Sequence, residues 1–165
     1  MKKEDSIHIR YTTPEDGPYL TKWLAEPGVL QGFAMGDPPE VEDSIKRWIG
    51  FSRYKCSLTA DWQGTPCGIA TLWLMPFRKL RHQCQFGMIV DQQYRRKGIG
   101  SQLLNNLLHL AKDYFGIEVI HLEMYENNEA IHLYEKFGFK EFGRQKKFLK
   151  DEGDYYGRIL MEREL

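Results

Sequence analysis

A helix with two adjoining apolar stripes is the feature that most constrains what this chain can become. Leu103, Leu107, Leu110 and Tyr114 recur at intervals of three and four, and Leu104, Leu108, Ala111 and Phe115 form the neighbouring stripe. This is the spacing of one broad buried helix face, so the helix must lie against a sheet or a second layer of helices. Residues 84–90 precede it and read as a strand. Between strand and helix stand Arg95, Arg96, Lys97, Gly98, Ile99, Gly100 and Ser101.

That turn has a chemistry of its own. Gly98 and Gly100 remove Cβ where the backbone changes direction, so N–H groups can point at one centre and a bound group can come close. The helix that starts there adds unpaired N–H groups and the positive end of its dipole, and three cationic side chains add full charges. The combination suits a pyrophosphate, although the same residues also serve as an ordinary basic turn before a helix. Two familiar phosphate loops do not fit. A Walker loop needs Gly-Lys-Ser/Thr after four intervening residues, whereas Ile99 follows Gly98; the dinucleotide fingerprint needs a third glycine where Leu103 stands.

The rest of the chain reads as one domain, residues 1–165, long enough to bury about 70% of its unfolded surface. Twenty-three basic residues balance 23 acidic ones, which argues against a general nucleic-acid or anionic-membrane surface and leaves any basic site local. Met1 to Asp5 are polar and no apolar run approaches ~18 residues, so neither a leader nor a membrane span is expected, and the expected location is cytoplasmic. Cys56, Cys67 and Cys84 lie in separate strand-like runs without metal-ligand spacing to the histidines. Reduced, buried thiols and no metal are therefore expected.

Ile7–Tyr11 alternates as a strand does. Thr13 and Pro14 open a first helix with Tyr19, Leu20, Trp23 and Leu24 inward, ended by Pro27-Gly28. Residues 29–36 form a loop carrying Phe33 and Met35. Asp37-Pro38-Pro39-Glu40 then starts a second helix with Val41, Ile45, Trp48 and Ile49 inward. Its acidic start either compensates the dipole or attracts a cationic amine. Strands at 56–60 and 67–74 flank a turn-rich connector, and 84–90 is the third of this series. Gly116 stops the long helix; a strand at 117–125, a short helix at 127–137 and closing strands at 139–142 and 155–164 around a turn at 146–153 complete the chain. The order β-α-α-β-β-β-α-β-α-β-β implies an α/β (α+β) fold, a mixed, mostly antiparallel sheet of six to seven strands with helices on both faces.

Gly87-Met88-Ile89-Val90, the turn from Arg95 to Gly100 and the run Asn127-Asn128-Glu129-Ala130-Ile131-His132-Leu133-Tyr134-Glu135-Lys136-Phe137-Gly138-Phe139 together resemble the GNAT superfamily of acetyl-CoA-dependent N-acetyltransferases. The element order is also that family's. The resemblance implies acetyl-CoA as cosubstrate, its diphosphate on Arg95, Arg96, Lys97, Gly98, Ile99, Gly100 and Ser101. It further implies a bulge in the preceding strand, freeing backbone groups of Met88, Ile89 and Val90 to pair with the pantetheine arm and polarise the thioester. Tyr134 falls where the family places the acid that protonates the leaving sulfur, a task suited to a phenol of pKa near 10; by pattern alone it is one more aromatic on an amphipathic helix. Asn127 reads as the N-cap of that helix and, by resemblance, as a ligand of the cofactor arm.

The base is less defined. Gln83, Cys84, Gln85 and Phe86 offer no carboxylate before the turn. Glu123 resembles the glutamate used by ribosomal-protein N-terminal acetyltransferases, at a spacing to the tyrosine one residue shorter, and reads equally as an exposed strand carboxylate. His121, on the same face, is the reserve. The implied acceptor is a small-molecule or peptide amine, with protein N-termini, polyamines and amino sugars all open, as is a homodimer. Two other functions stay open: a catalytically silent acyl-CoA-binding module, and nucleotide or RNA binding through the basic cluster.

Overall fold

A computed structural model describes residues 6–165; the stretch from Met1 to Asp5, on which the expectation of no leader rested, lies outside the described residues. In chain order the elements are β1 (Ile7–Tyr11), α1 (Gly17–Leu24), α2 (Pro38–Gly50), β2 (Ser57–Trp62), β3 (Thr65–Leu74), β4 (Gln83–Val90), α3 (Ile99–His109), β5 (Val119–Tyr125), α4 (Ile131–Lys136), β6 (Lys140–Asp151) and β7 (Asp154–Glu164). This is the expected order. The strands form a single seven-stranded sheet, β1-β2-β3-β4-β5-β7-β6. Every neighbouring pair is antiparallel except β4 with β5.

Helices cover both faces of the sheet, as the alternation of side chains requires. On one face Leu103, Leu104, Leu107 and Leu108 of α3 pack with Ala70, Leu72, Phe86, Ile120 and Leu122. On the other, Leu20, Trp23 and Leu24 of α1 meet Ile69 and Ile89, flanked by Val41, Ile45, Trp48 and Ile49 of α2. β3, covered on both sides, is buried without interruption from Pro66 to Leu72, which is why its sequence does not alternate.

Side-chain caps start the first two helices. Glu40 accepts the N–H groups of Gly36 (2.9 Å) and Asp37 (3.2 Å), so part of the acidic start of α2 is committed to capping. Ahead of α1 a short 3-10 turn holds Asp16, whose carboxylate accepts the Thr13 N–H at 2.9 Å. Asp16 is 1% exposed and anchors a polar cluster inside the sheet. Arg10 reaches both Asp16 and Asp61 at 2.8 Å, Thr59 donates to Asp16 at 2.9 Å, and the hydroxyls of Thr12, Ser57 and Thr71 continue the chain at 2.7–3.0 Å. Burial pushes the Asp16 carboxyl up, but the bonds from Arg10, Thr13 and Thr59 outweigh it and hold the group below the usual carboxylate range.

Four local expectations are corrected. The long helix ends in a π turn over Leu110–Tyr114; the extra residue rotates the stripe, so Tyr114 is 66% exposed instead of buried. Tyr19 is exposed as well, its ring tilted at 45° to that of Trp23 with centroids 6.5 Å apart. The last two strands form one long hairpin, turning only at Glu152 and Gly153, whose φ values are +48° and +91°. Finally, α4 begins at Ile131 with Ala130 as N-cap, so Asn127 is not the cap; Asn128 Oδ1 accepts the Ala130 N–H at 2.9 Å and organises the turn.

Candidate active site

A gap in the sheet is the organising feature. β4 and β5 pair only at Gln83, Cys84 and Gln85 against Val119, Ile120 and His121. Beyond that point the strands part, while β4 stays paired with β3 as far as Val90. The β5-facing backbone groups of Phe86, Gly87, Met88, Ile89 and Val90 therefore lack a strand partner. The expected bulge is absent: β4 and β3 keep an unbroken register from Cys84 to Val90, and the opening comes from the divergence of β5. Free backbone donors and acceptors along such an edge can pair with an extended amide-containing arm as a further strand would.

The gap leads to the basic turn. Asp91, 3% exposed, clamps its start: the carboxylate accepts the Gln93 N–H at 3.0 Å and the Asp91 N–H donates to the Cys67 carbonyl at 2.8 Å. Nothing in the composition singled out Asp91, although an Asp two residues ahead of an N–H that it can accept is the Asx-turn signal. Arg96 (φ +62°) and Gly98 (φ +79°) both take the left-handed conformation, and Gly98 is the N-cap of α3. Ile99, 1% exposed, plugs the first helical turn into the core. Gly100 has ordinary helical space beside it, since a Cβ there would lie 3.5 Å from Leu133; only Gly98 is demanded by the chain's own geometry. The first N–H groups of α3, through Ser101, are open for an anion. Arg95 and Arg96 are exposed and form no ion pair among the described residues, and Lys97 Nζ rests 5.0 Å above the ring of Trp62.

Tyr134 stands on α4 on the α3 side of the sheet. Its ring meets Phe86 at 5.8 Å and Phe139 at 5.9 Å between centroids, both edge-on. Burial pushes its phenol up to about 12. The hydroxyl makes no hydrogen bond to a described residue, yet no buried side-chain oxygen there is left unsatisfied, so this end of the residue touches open space. Leu133 beside Gly100 ties the helix of Tyr134 to the basic turn.

On the α1 and α2 side of the gap, Gln85, His121 and Glu162 lie across neighbouring strands in one row. Burial lowers the His121 imidazole from its ordinary value, against the pull of Glu162 and Glu123, which keeps it neutral near pH 7. Glu123 is on the same face, exposed, and ion-paired with Arg158 of β7. Gly87 lies under two tryptophans: a Cβ there would stand 2.9 Å from Trp48 and 3.1 Å from Trp73, whose rings meet edge-on at 5.2 Å. A mid-strand glycine is the sequence signal for such close approach. The three cysteines are buried and unbridged, with thiols pushed to about 11 (Cys56) and about 12 (Cys67 and Cys84) by burial.

Comparison with known proteins bears on the same elements. The family described as Acetyltransferase (GNAT) matches residues 18–139. An N-alpha-acetyltransferase of Saccharolobus solfataricus is 32% identical over 161 residues, 94% of this chain and 83% of the relative. The L-amino acid N-acetyltransferase AaaT of Escherichia coli is 27% identical over 107 residues, 64% of this chain and 66% of the relative, a little under two thirds of its length. Among solved structures, ribosomal-protein-alanine N-acetyltransferase from Brucella melitensis superposes with a TM-score of 0.80 at 25% identity, covering 96% of this chain and 99% of that one.

Proposed function

Because the chain belongs to the acetyltransferase (GNAT) family, we propose that it moves an acetyl group from acetyl-CoA to a primary amine by direct attack, with Tyr134 as general acid. The observation that carries this reading is the gap itself: an unpaired β4 edge that runs directly into the anion-binding start of α3. The residues fit the cosubstrate. Main-chain groups of Met88, Ile89 and Val90 would pair with its pantetheine arm, and the N–H groups of Gly98, Ile99, Gly100 and Ser101 would receive the diphosphate. Arg95, Arg96 and Lys97 supply countercharge, and Asn127, in the turn before α4, would bond the arm from the far side.

The amine nitrogen forms a bond to the thioester carbon, the carbonyl oxygen takes the charge, and collapse breaks the carbon–sulfur bond. Backbone N–H groups of β4 stabilise the oxygen. The departing thiolate takes the Tyr134 proton, and the nitrogen loses its own to Glu123 or, through the neutral imidazole, to His121. A phenol near 12 looks mismatched to a thiol whose ordinary value is about 8.5. The burial that raises one anion's pKa raises the other's, so inside the gap the two move together.

Calorimetry with acetyl-CoA and thiol release against an amine panel test this reading. Binding with turnover is expected. Tight binding with no turnover on any amine would leave a silent acyl-CoA module, and no binding would end the proposal.

A further inference from the structure

The wall that would receive the amine carries a guanidinium that the chemistry above does not use. Glu123 lies two residues beyond His121, the last β5 residue paired with β4, and Arg158 pairs across from Tyr125 on β7, two residues further on. Glu123 and Arg158 thus face the acyl end of the gap from the α1 and α2 side. Three contacts fix Arg158. Its Nη1 donates to Glu123, its Nε donates to Gln145 Oε1 at 3.0 Å, and its Cζ lies 4.2 Å from the centre of the Phe148 ring. Phe148 reaches that position because β6 carries extra residues between Gln145 and Leu149, opposite Gly157 alone, a bulge of the kind that re-aims side chains beside active sites.

The side chain of Arg158 remains 26% exposed, and its Nη2 bonds no described residue. A planar fork fixed through Nε, Nη1 and its stacked face leaves Nη2 as a preformed donor for a carboxylate oxygen. Glu123 beside it is the opposite pole. On the α2 side, Lys46, Arg47 and Arg53 rim a cleft at Phe51, whose ring meets Trp73 at 4.9 Å.

Resting on the acetyltransferase reading of this site, we infer that the acceptor is a free α-amino acid, its carboxylate on the open edge of Arg158 and its amine delivered beside Glu123. The two charges of such a zwitterion are separated by a single carbon and match two adjacent side chains of opposite sign. A polyamine would bring a second cation toward Arg158. A peptide N-terminus would set an amide against the open guanidinium edge.

The experiment follows thiol release from acetyl-CoA with free L-amino acids, their amides, short peptides and spermidine, on the full chain. We expect kcat/KM for an amino acid to exceed that for its own amide at least tenfold. Arg158→Gln should bring that ratio close to one, mainly through the KM of the acid, and Arg158→Lys should restore part of it. Equal values for acid and amide, or a peptide or spermidine as the better acceptor, overturn the inference while the acetyltransferase reading stands. Loss of both acetyl-CoA binding and all turnover overturns both. Should the variants fail to fold, the acid-to-amide ratio of the unaltered protein decides.

Discussion

The two sides of the gap are built by different means. On the side proposed for the cosubstrate the groups are main-chain: an unpaired strand edge, the N–H groups that open α3, and Gly98 in a left-handed conformation. They come from one continuous stretch, residues 86–101, held by Asp91 below and Ile99 inside. On the side proposed for the acceptor the groups are side chains, His121, Glu123, Arg158 and Phe148, drawn from three strands and positioned by register and a bulge. Backbone geometry tolerates side-chain replacement around it. Side-chain constellations do not, so the first region suits a shared cosubstrate and the second a variable acceptor.

Variants can break that contrast or sharpen it. The largest effect is expected at Tyr134, packed on Phe86 on the α3 side of the sheet: Tyr134→Phe should lower kcat by ~10²–10⁴ with acetyl-CoA affinity unchanged, and a loss under threefold would remove Tyr134 from the chemistry. Asp16→Asn touches neither side but removes the charge that Arg10 shares between Asp16 and Asp61 and that the Thr59 hydroxyl donates to, and should cost about 3 kcal/mol in urea unfolding without altering cosubstrate affinity per folded molecule. The same carboxyl sets a pH response. Because it titrates lower in the folded chain than its unfolded value near 3.9, its contribution is present above that value and disappears as pH falls through the folded one. Gly98→Ala should force the left-handed cap on a residue with Cβ, at about 1–2 kcal/mol, read as weaker acetyl-CoA binding by calorimetry. Arg95→Gln and Arg96→Gln, both exposed, should each weaken it by only about 0.2–1 kcal/mol, an effect that fades in salt. If the arginines mattered more than Gly98, the division into main-chain and side-chain halves would be wrong.

This division also explains what could be read from the chain alone. The first side is local, so the turn from Arg95 to Ser101 and the apolar stripe of α3 through Leu108 were legible as a turn and a helix, as were the order of elements along the chain and the capping of α2. The misreadings are places where a single residue changes the phase. The π turn displaced Tyr114, a two-residue reverse turn at Glu152 and Gly153 replaced a longer loop, and Asn128 with Ala130 took the place given to Asn127. The acceptor side is non-local. Arg158 meets Glu123 across 35 residues of chain, and Trp48 meets Gly87 only after α2 folds onto the sheet; no periodicity encodes such meetings. The chain of hydroxyls from Thr59 to Thr71 is equally silent in sequence, because each residue alone reads as a strand threonine or serine.

Lys97 over Trp62 has a practical corollary. An ammonium perched on an indole perturbs the ring's excited state, and a polyanion arriving at the neighbouring turn competes for that same ammonium. If the turn takes the diphosphate as proposed, binding would register as a shift in tryptophan emission, an intrinsic optical gauge that needs no attached dye.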